Sequence, residues 1–447
     1  MEIKIALCIC GLLLIFILGR KLCCRNIVAP QTINAISFIP SLFLLLFYAK
    51  DWNAELSNTT IGLILSGPLI FLIVSVIFKA FKIKVKECKN DNNMVVKIDF
   101  PYAVMFTVIE IITLLLLFRY IISFVGSAGS ISTLLMTYRF KSATADLPTI
   151  TSLFRLVSVY SGYVWAYLLC LNKLEKIRNN NTIYIINFFL SILISLSSGA
   201  RGTAIMLIIS LIVQYVFLFN QKMKITNEYK KMNSKYKKSI IIITVCLVLF
   251  AFQFDKFANI LGRDTSEFTG IYYLAIYLAA PIKNLDIFIR NDCFGFAKGF
   301  WDSHIFNQLL TYVGTKYFDV NMSAFVYPFN VVNGQNLGNV ATAYADYYYD
   351  NAMLSFIIAN VLMAIITNYF FAKSNQSYNC CVSEINVYAI IYSIMAFGIA
   401  FNFFANEFYI CIFNIEFFRG IIVIMFIKYF FTKRNIKKKS KWRHKND

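Results

Sequence analysis

An arginine framed by small residues is the first group in this sequence whose type and spacing suit chemistry. Ser198-Gly199-Ala200-Arg201-Gly202 lies between two apolar runs. The planar guanidinium of an arginine stays charged and matches phosphate oxygens, and small residues let a ligand approach the backbone. The alternative is a tight helical hairpin whose Arg201 extends to lipid phosphate. The spacing alone favours neither interpretation.

Two arginines beside carboxylates form the second candidate group. Arg263 is followed by Asp264 and Glu267, and Arg290 lies two residues before Asp292. A surface salt bridge is the alternative, and such bridges contribute little to stability. Taken alone, these two arginines favour the salt-bridge interpretation.

The third candidate group is a run of polar residues at helical spacing. Asn339, Thr342, Asp346 and Asp350 recur every three or four residues, which predicts one face of a helix. Carboxylates and amides bind sugar hydroxyls, and aromatic faces such as that of Tyr344 stack on sugar rings. The alternative is an interfacial aromatic belt with acidic residues at a helix start. The regular spacing favours a sugar site.

Four other polar residues stand out by their position. His304 is the one histidine away from the C-terminus, and a lone histidine is more often a satisfied polar residue than a catalyst; we include it among the candidate sugar contacts. Glu110, Glu416 and Arg419 fall in apolar runs, where a charge costs roughly 2.5–3.5 kcal/mol at bilayer depth. Glu416 and Arg419 are three residues apart and are expected to pair within one helix.

The composition indicates what must position these residues. The chain has 447 residues, of which 59% are hydrophobic and 15% charged, with a mean hydropathy of +0.64. A soluble globular protein could not cover that much apolar surface, and a disordered chain would be more polar. The sequence therefore predicts an all-α polytopic membrane protein. Its eleven apolar runs are 3–19, 33–49, 59–78, 100–124, 150–171, 182–198, 203–219, 239–257, 351–372, 386–404 and 408–430.

The distribution of charge predicts the orientation of these spans. The net charge is +20, and 28 of the 43 lysines and arginines fall in alternate loops and the C-terminal tail. Since cytoplasmic loops collect Lys and Arg, the N-terminus is expected outside and the tail in the cytoplasm. The predicted organisation is helices 1–8 in 1–257, a large extracytoplasmic loop in 258–350, helices 9–11 in 351–430 and a basic tail in 431–447.

The large loop is expected to hold short amphipathic helices. An apolar run over 271–278 ends before Pro281, and His304 to Tyr317 places Ile305 and Leu309 on one helical face. That pattern is typical of a helix lying on the membrane surface. A loop of about ninety residues far exceeds an ordinary connection, and such loops usually carry function.

Together these features resemble the Wzy-type oligosaccharide repeat-unit polymerases, which make O-antigen and capsule polysaccharides. Ser198-Gly199-Ala200-Arg201-Gly202 resembles the Ser-Gly-Ser-Arg-Gly of that family, with alanine in place of serine. The stretch 339–350 resembles its Asn-x-x-Thr…Asp-Phe-Gly, although asparagine follows Asp350. The segment 277–281 resembles a Tyr…Pro element. The motifs cover about 190–355 and the architecture covers the whole chain.

The resemblance implies a bacterial inner-membrane enzyme that transfers an undecaprenyl-pyrophosphate-linked glycan onto another lipid-linked repeat unit. Arg201 would then neutralise the pyrophosphate leaving group. Arg263 and Arg290 extend that role by their loop placement, and Asp264, Glu267 and Asp346 are alternative general bases. Cationic side chains can replace a metal, so no metal or other cofactor is expected, and two histidines argue against zinc. A chain-length regulator is the implied protein partner; nucleic acid is not expected.

Two other functions fit the architecture. An O-antigen ligase would make a single transfer onto another acceptor, and His304 leaves that possibility open. A flippase or other transporter of lipid-linked oligosaccharide would explain charges within the spans, but it does not require a ninety-residue external loop, and transporters often show repeated halves.

Overall fold

The structure, a computed structural model, describes residues 2–22, 26–81, 94–126, 131–141, 147–177, 180–197, 201–226, 270–292, 299–318 and 327–436. Its helices are α1 Glu2–Leu22, α2 Pro30–Phe47, α3 Asn58–Ala80, α4 Phe100–Val125, α5 Ile131–Lys141, α6 Thr149–Glu175, α7 Asn181–Ser197, α8 Arg201–Thr226, α9 Gly270–Leu278, α10 Ala280–Arg290, α11 Asn307–Val313, α12 Ala343–Ser374, α13 Tyr378–Ser383, α14 Val387–Ala400, α15 Glu407–Ile412 and α16 Ile415–Phe431. Its strands are β1 Met94–Ile98, β2 Asn330–Val332, β3 Gln335–Gly338 and β4 Thr432–Ile436. This is the architecture of a helical membrane protein.

Within the described residues, seven helices are long and apolar enough to cross a membrane: α1, α2, α3, α4, α6, α8 and α12. Two shorter apolar helices, α7 and α14, accompany them. Their outer faces expose large apolar side chains such as Leu115 on α4 and Ile422 on α16, each 66% exposed. Such exposure suits a lipid environment, because in water it would leave an aggregation-prone surface.

The described helices correspond to ten of the eleven predicted runs, and the last of these differs in form. The run 239–257 lies outside the described residues, so the count of eleven stays a prediction. The run 408–430 is not one helix: α15 ends at Ile412, and α16 begins at Ile415. The Asn414 side chain caps the N-terminus of α16 by accepting a hydrogen bond from the Glu416 amide at 2.9 Å. Glu416 and Arg419 therefore lie in the first turns of α16, not in the middle of a span.

The helix α6 packs against α4, α7, α8 and α16, while α14 packs against α8 and α12. Buried polar side chains link α8 to α14. The Ser210 hydroxyl of α8 is hydrogen-bonded to that of Ser393 of α14, and Gln214 of α8 donates to Ser393 at 3.0 Å. The core continues into the segment between α9 and α12, where Leu285, Phe288 and Leu337 are buried. The described parts of this segment, 270–292, 299–318 and 327–342, are therefore packed onto the bundle.

Gly398 of α14 lets α15 lie directly against it. A Cβ at this position would meet the Phe408 Cα at 2.6 Å, whereas a Cβ at Gly62 of α3 would meet nothing within 4 Å. Because backbone cannot yield as a side chain can, Gly398→Ala should lower the free energy of unfolding by about 1–3 kcal/mol. Denaturant titration in detergent micelles checks this, with Gly62→Ala as the matched control. Equal stability of the two variants would contradict the close approach.

Candidate functional site

A cavity, which we name the main cavity, lies where α12 begins. Its volume is about 920 Å³, and its walls come from the segments 304–312, 327, 339–346 and 405–419. We call this end of the bundle the loop end. The titratable side chains that line the main cavity are His304, Tyr312, Tyr327, Asp346, Glu416 and Arg419.

Asn284, a fully buried residue of α10, holds the chain that leads into the main cavity. Its side-chain nitrogen donates to the carbonyl of Val340 at 2.8 Å and to that of Leu337 at 3.2 Å. Its oxygen accepts from Asn330 of β2 at 3.0 Å. These bonds fix the β2–β3 hairpin and place the following Asn339 at the cavity wall.

Two polar side chains converge on the Asp346 carboxylate in this wall. The Tyr327 hydroxyl donates to Asp346 Oδ1 at 2.8 Å, and His304 Nδ1 lies 3.7 Å from the same oxygen. The His304 ring stacks on Tyr349 with 3.7 Å between ring centroids. Burial, followed by the charge of Asp346, holds the pKa of Tyr327 well above its usual value. Tyr327 therefore stays a hydrogen-bond donor, and Asp346 beside His304 can accept a proton from a bound hydroxyl.

Asp350 acts on the backbone beside the site and does not line the main cavity. Its carboxylate accepts from the Ser303 hydroxyl and from the amide of His304 at 2.7 Å. This contact holds the chain just before the imidazole. The helix kinks immediately afterwards, where Ala352 has a φ of +46°. Asp350 therefore positions His304, and its predicted sugar contact has no support from the cavity lining.

The predicted helix face of four polar residues is corrected by the structure. α12 begins at Ala343, so Asn339 and Thr342 precede it. Thr342 is 1% exposed, and Tyr344 is fully buried with its hydroxyl 3.4 Å from Asn34. Because these two side chains are buried away from the cavity, they belong to the core and are not part of the candidate site.

Arg290 also lies away from the main cavity. Its Nε donates to Asp286 at 2.9 Å, and its terminal nitrogen donates to the carbonyl of Glu55. The Asp286 carboxylate is fully buried and accepts further bonds from the Ser57 amide at 2.6 Å and the Thr60 hydroxyl at 2.8 Å. Arg290 thus forms a salt bridge with the buried Asp286, and not the expected surface pair with Asp292, and this contact corrects its placement among the catalytic candidates.

Arg201 is the first residue of α8, beside a second cavity of about 430 Å³. The two following residues, Gly202 and Thr203, line this second cavity, while the Arg201 side chain lies outside what the structure describes. Arg263, Asp264 and Glu267 lie outside the described residues altogether. Their roles therefore stay predictions.

The sequence interpretation missed the ion pair between the two cavities. Glu416 pairs with Arg155 of α6, whose terminal nitrogen lies 3.1 and 3.2 Å from the two carboxylate oxygens, and not with Arg419. Arg155 falls within an apolar run, and that charge was the available signal. Glu110, the other charge in a run, is fully buried and accepts from Ser161 and Ser191 at 3.2 Å each.

The main cavity thus combines a carboxylate beside an imidazole, a cation and amide side chains. In the part of the chain that the structure describes, no three His, Cys, Asp or Glu side chains lie close enough together to hold a metal ion. Such a site can move a proton and neutralise an anion with side chains alone. No protein-family model, curated protein or solved structure matches this chain.

Proposed function

We propose that this protein is a membrane-embedded glycosyltransferase that polymerises polyprenyl-diphosphate-linked oligosaccharide repeat units into a surface polysaccharide. The observation that carries the proposal is the main cavity. It brings the Asp346–His304–Tyr327 group to the same space as Arg419 and Asn339. The second cavity, which shares Asn414 and Glu416 with it, lies at the start of the helix that Arg201 begins. A proton acceptor and a cation suit the transfer of a sugar from a diphosphate, and amide groups suit the binding of its hydroxyls.

The proposed reaction is a single displacement at a sugar carbon. Asp346 accepts the proton of an acceptor hydroxyl, assisted by His304 at 3.7 Å. The hydroxyl oxygen attacks the anomeric carbon of the donor, and the bond from that carbon to the diphosphate oxygen breaks. The electron pair leaves with the polyprenyl diphosphate. Cationic side chains stabilise its charge, which is the role we propose for Arg201 and Arg419.

We place the loop end on the outer side of a bacterial cytoplasmic membrane. The opposite end holds the β1–β4 sheet, where Lys97 and Lys433 both lie 2.9 Å from Asp99. Lys224 and Lys428 belong to the same end, in the last turns of α8 and α16. Clustered lysines favour the cytoplasmic side, so this distribution supports the orientation.

Two alternatives give different products. A ligase would add one glycan to a separate acceptor, and a transporter would move the lipid-linked unit without changing it. The Asp346–His304–Tyr327 group favours transfer over transport, because moving a glycan needs no proton acceptor beside an anion site. Extension by successive repeat units separates a polymerase from a ligase.

Reconstitution tests the proposal. Purified protein in liposomes, supplied with its polyprenyl-diphosphate repeat unit, should give a ladder of lengthening glycans on a gel. Arg201→Gln should lower ladder formation at least tenfold, since a hydrogen bond to a charged group contributes roughly 1.5–3 kcal/mol. Arg119→Gln is the matched control, because Arg119 is exposed on α4 and lines neither cavity. Products no longer than the supplied unit would refute a polymerase.

A further inference from the structure

We propose that Arg155 is a substrate-binding residue that exchanges partners. In the free protein it is held by Glu416, and on binding it turns to the diphosphate group of the lipid-linked donor in the second cavity. This inference rests on the proposed function for the source of the diphosphate. It adds Arg155 as an anion ligand and makes Glu416 its competitor.

The two cavities share a wall that the ion pair helps to build. Gln308, Ile410, Asn414 and Glu416 line both cavities, whereas Arg155 lines only the second. A ligand in the second cavity would therefore touch Arg155, and its other end could reach past Glu416 towards Asp346. This arrangement suits a donor whose anionic group and sugar occupy neighbouring spaces.

The guanidinium of Arg155 has N–H donors that its pairing with Glu416 does not use. One terminal nitrogen serves both oxygens of Glu416, and within the described part of the chain its remaining N–H groups have no hydrogen-bond acceptor. Its side chain is 23% exposed and that of Glu416 is 47% exposed. A partly exposed pair of this kind is weak and separable, and a diphosphate can use the whole fork of donors that a single carboxylate leaves unused.

The rest of the second cavity suits an anion. Gly202 and Thr203 belong to the first turn of α8, where the backbone amides and the helix dipole favour negative charge. The cavity also contains Glu407, which would oppose an anion if it were charged. Burial raises the pKa of Glu407, which favours its neutral form and reduces that repulsion.

The exchange predicts opposite effects for the two members of the pair. Binding of geranylgeranyl diphosphate and of inorganic pyrophosphate to full-length protein in micelles should weaken roughly tenfold or more in Arg155→Gln, which loses a charged donor. Glu416→Gln should tighten both roughly two- to fivefold, because it removes the competing carboxylate. Arg119→Gln should bind both probes like the native protein. Thermal unfolding of each variant is measured alongside.

Opposite signs cannot come from misfolding, which would weaken binding in both variants. The proposal is overturned if Arg155→Gln binds both probes normally, or if both variants shift affinity in the same direction. It is also overturned if Arg155→Gln loses affinity for the isoprenoid probe alone, because Arg155 would then contact the chain and not the diphosphate. Intact probe binding without ladder formation would count against the polymerase and leave this site standing.

Discussion

Replacing Asp346 with asparagine should lower the rate of glycosidic-bond formation by roughly 10²- to 10⁴-fold, the contribution usual for a positioned general base. An amide cannot accept the proton of the attacking hydroxyl. Its oxygen can still accept the hydrogen bond that Tyr327 makes at 2.8 Å, so the wall of the main cavity should stay intact. The rate is measured in liposomes with lipid-linked repeat units, and folding is checked by thermal unfolding.

The control for this prediction is Asp51→Asn, because Asp51 is exposed at the same end of the bundle and lines neither cavity. Tyr327→Phe should give a smaller loss, since it removes a hydrogen bond to the carboxylate and leaves the carboxylate itself. A rate in Asp346→Asn within about threefold of the native rate would show that another group takes the proton. The candidates Asp264 and Glu267 would then be the next to test.

Removing the carboxylate of Asp286 should destabilise the protein by about 3–5 kcal/mol, the usual effect of breaking a buried ion pair. Asp286 is fully buried, and Lys283 beside it is 8% exposed. In Asp286→Ala the Lys283 ammonium, 3.8 Å away, loses its counter-charge, and the Thr60 hydroxyl loses its acceptor. Denaturant titration in micelles gives the change in the free energy of unfolding.

Arg290→Ala is the comparison for this second prediction. The Arg290 side chain is 43% exposed, so its loss leaves a carboxylate that still accepts bonds from Ser57 and Thr60. We expect a clearly smaller loss of stability and no direct effect on sugar transfer. If Asp286→Ala were no less stable than Arg290→Ala, the bonds that Asp286 of α10 accepts from Ser57 and Thr60 would not hold α10 against the start of α3. If Arg290→Ala folded normally and lost transfer, its catalytic role would have to be restored.

The sequence predicted the elements that depend on local patterns. The long apolar runs of the sequence form long apolar helices in the structure, since a helix satisfies its own backbone hydrogen-bonding groups in lipid. Of the proposed site, His304, Asn339 and Asp346 do line one cavity. Asn339 reaches it for a different reason from the predicted helix face: the buried Asn284 fixes the preceding hairpin.

What escaped prediction depends on contacts between distant parts of the chain. Arg155 and Glu416 are 261 residues apart, so no spacing rule could pair them, and the local i,i+3 rule selected Arg419 instead. Tyr344 shows the converse. Its ring packs between those of Phe38 and Phe356, with 5.0 Å between the ring centroids in each pair. The sequence suggested that Tyr344 stacks on a sugar, whereas the structure places it in the core.

The most direct test of the proposed reaction is to count the polyprenyl diphosphate released for each glycosidic bond formed. The measurement uses native protein in liposomes with a labelled lipid-linked repeat unit, and Asp346→Asn beside it. We predict one diphosphate carrier released per bond, and both products lost together in the variant. Release without bond formation would indicate hydrolysis. Transfer of the intact unit across the bilayer with neither product would contradict the proposed glycosyltransferase and favour a transporter.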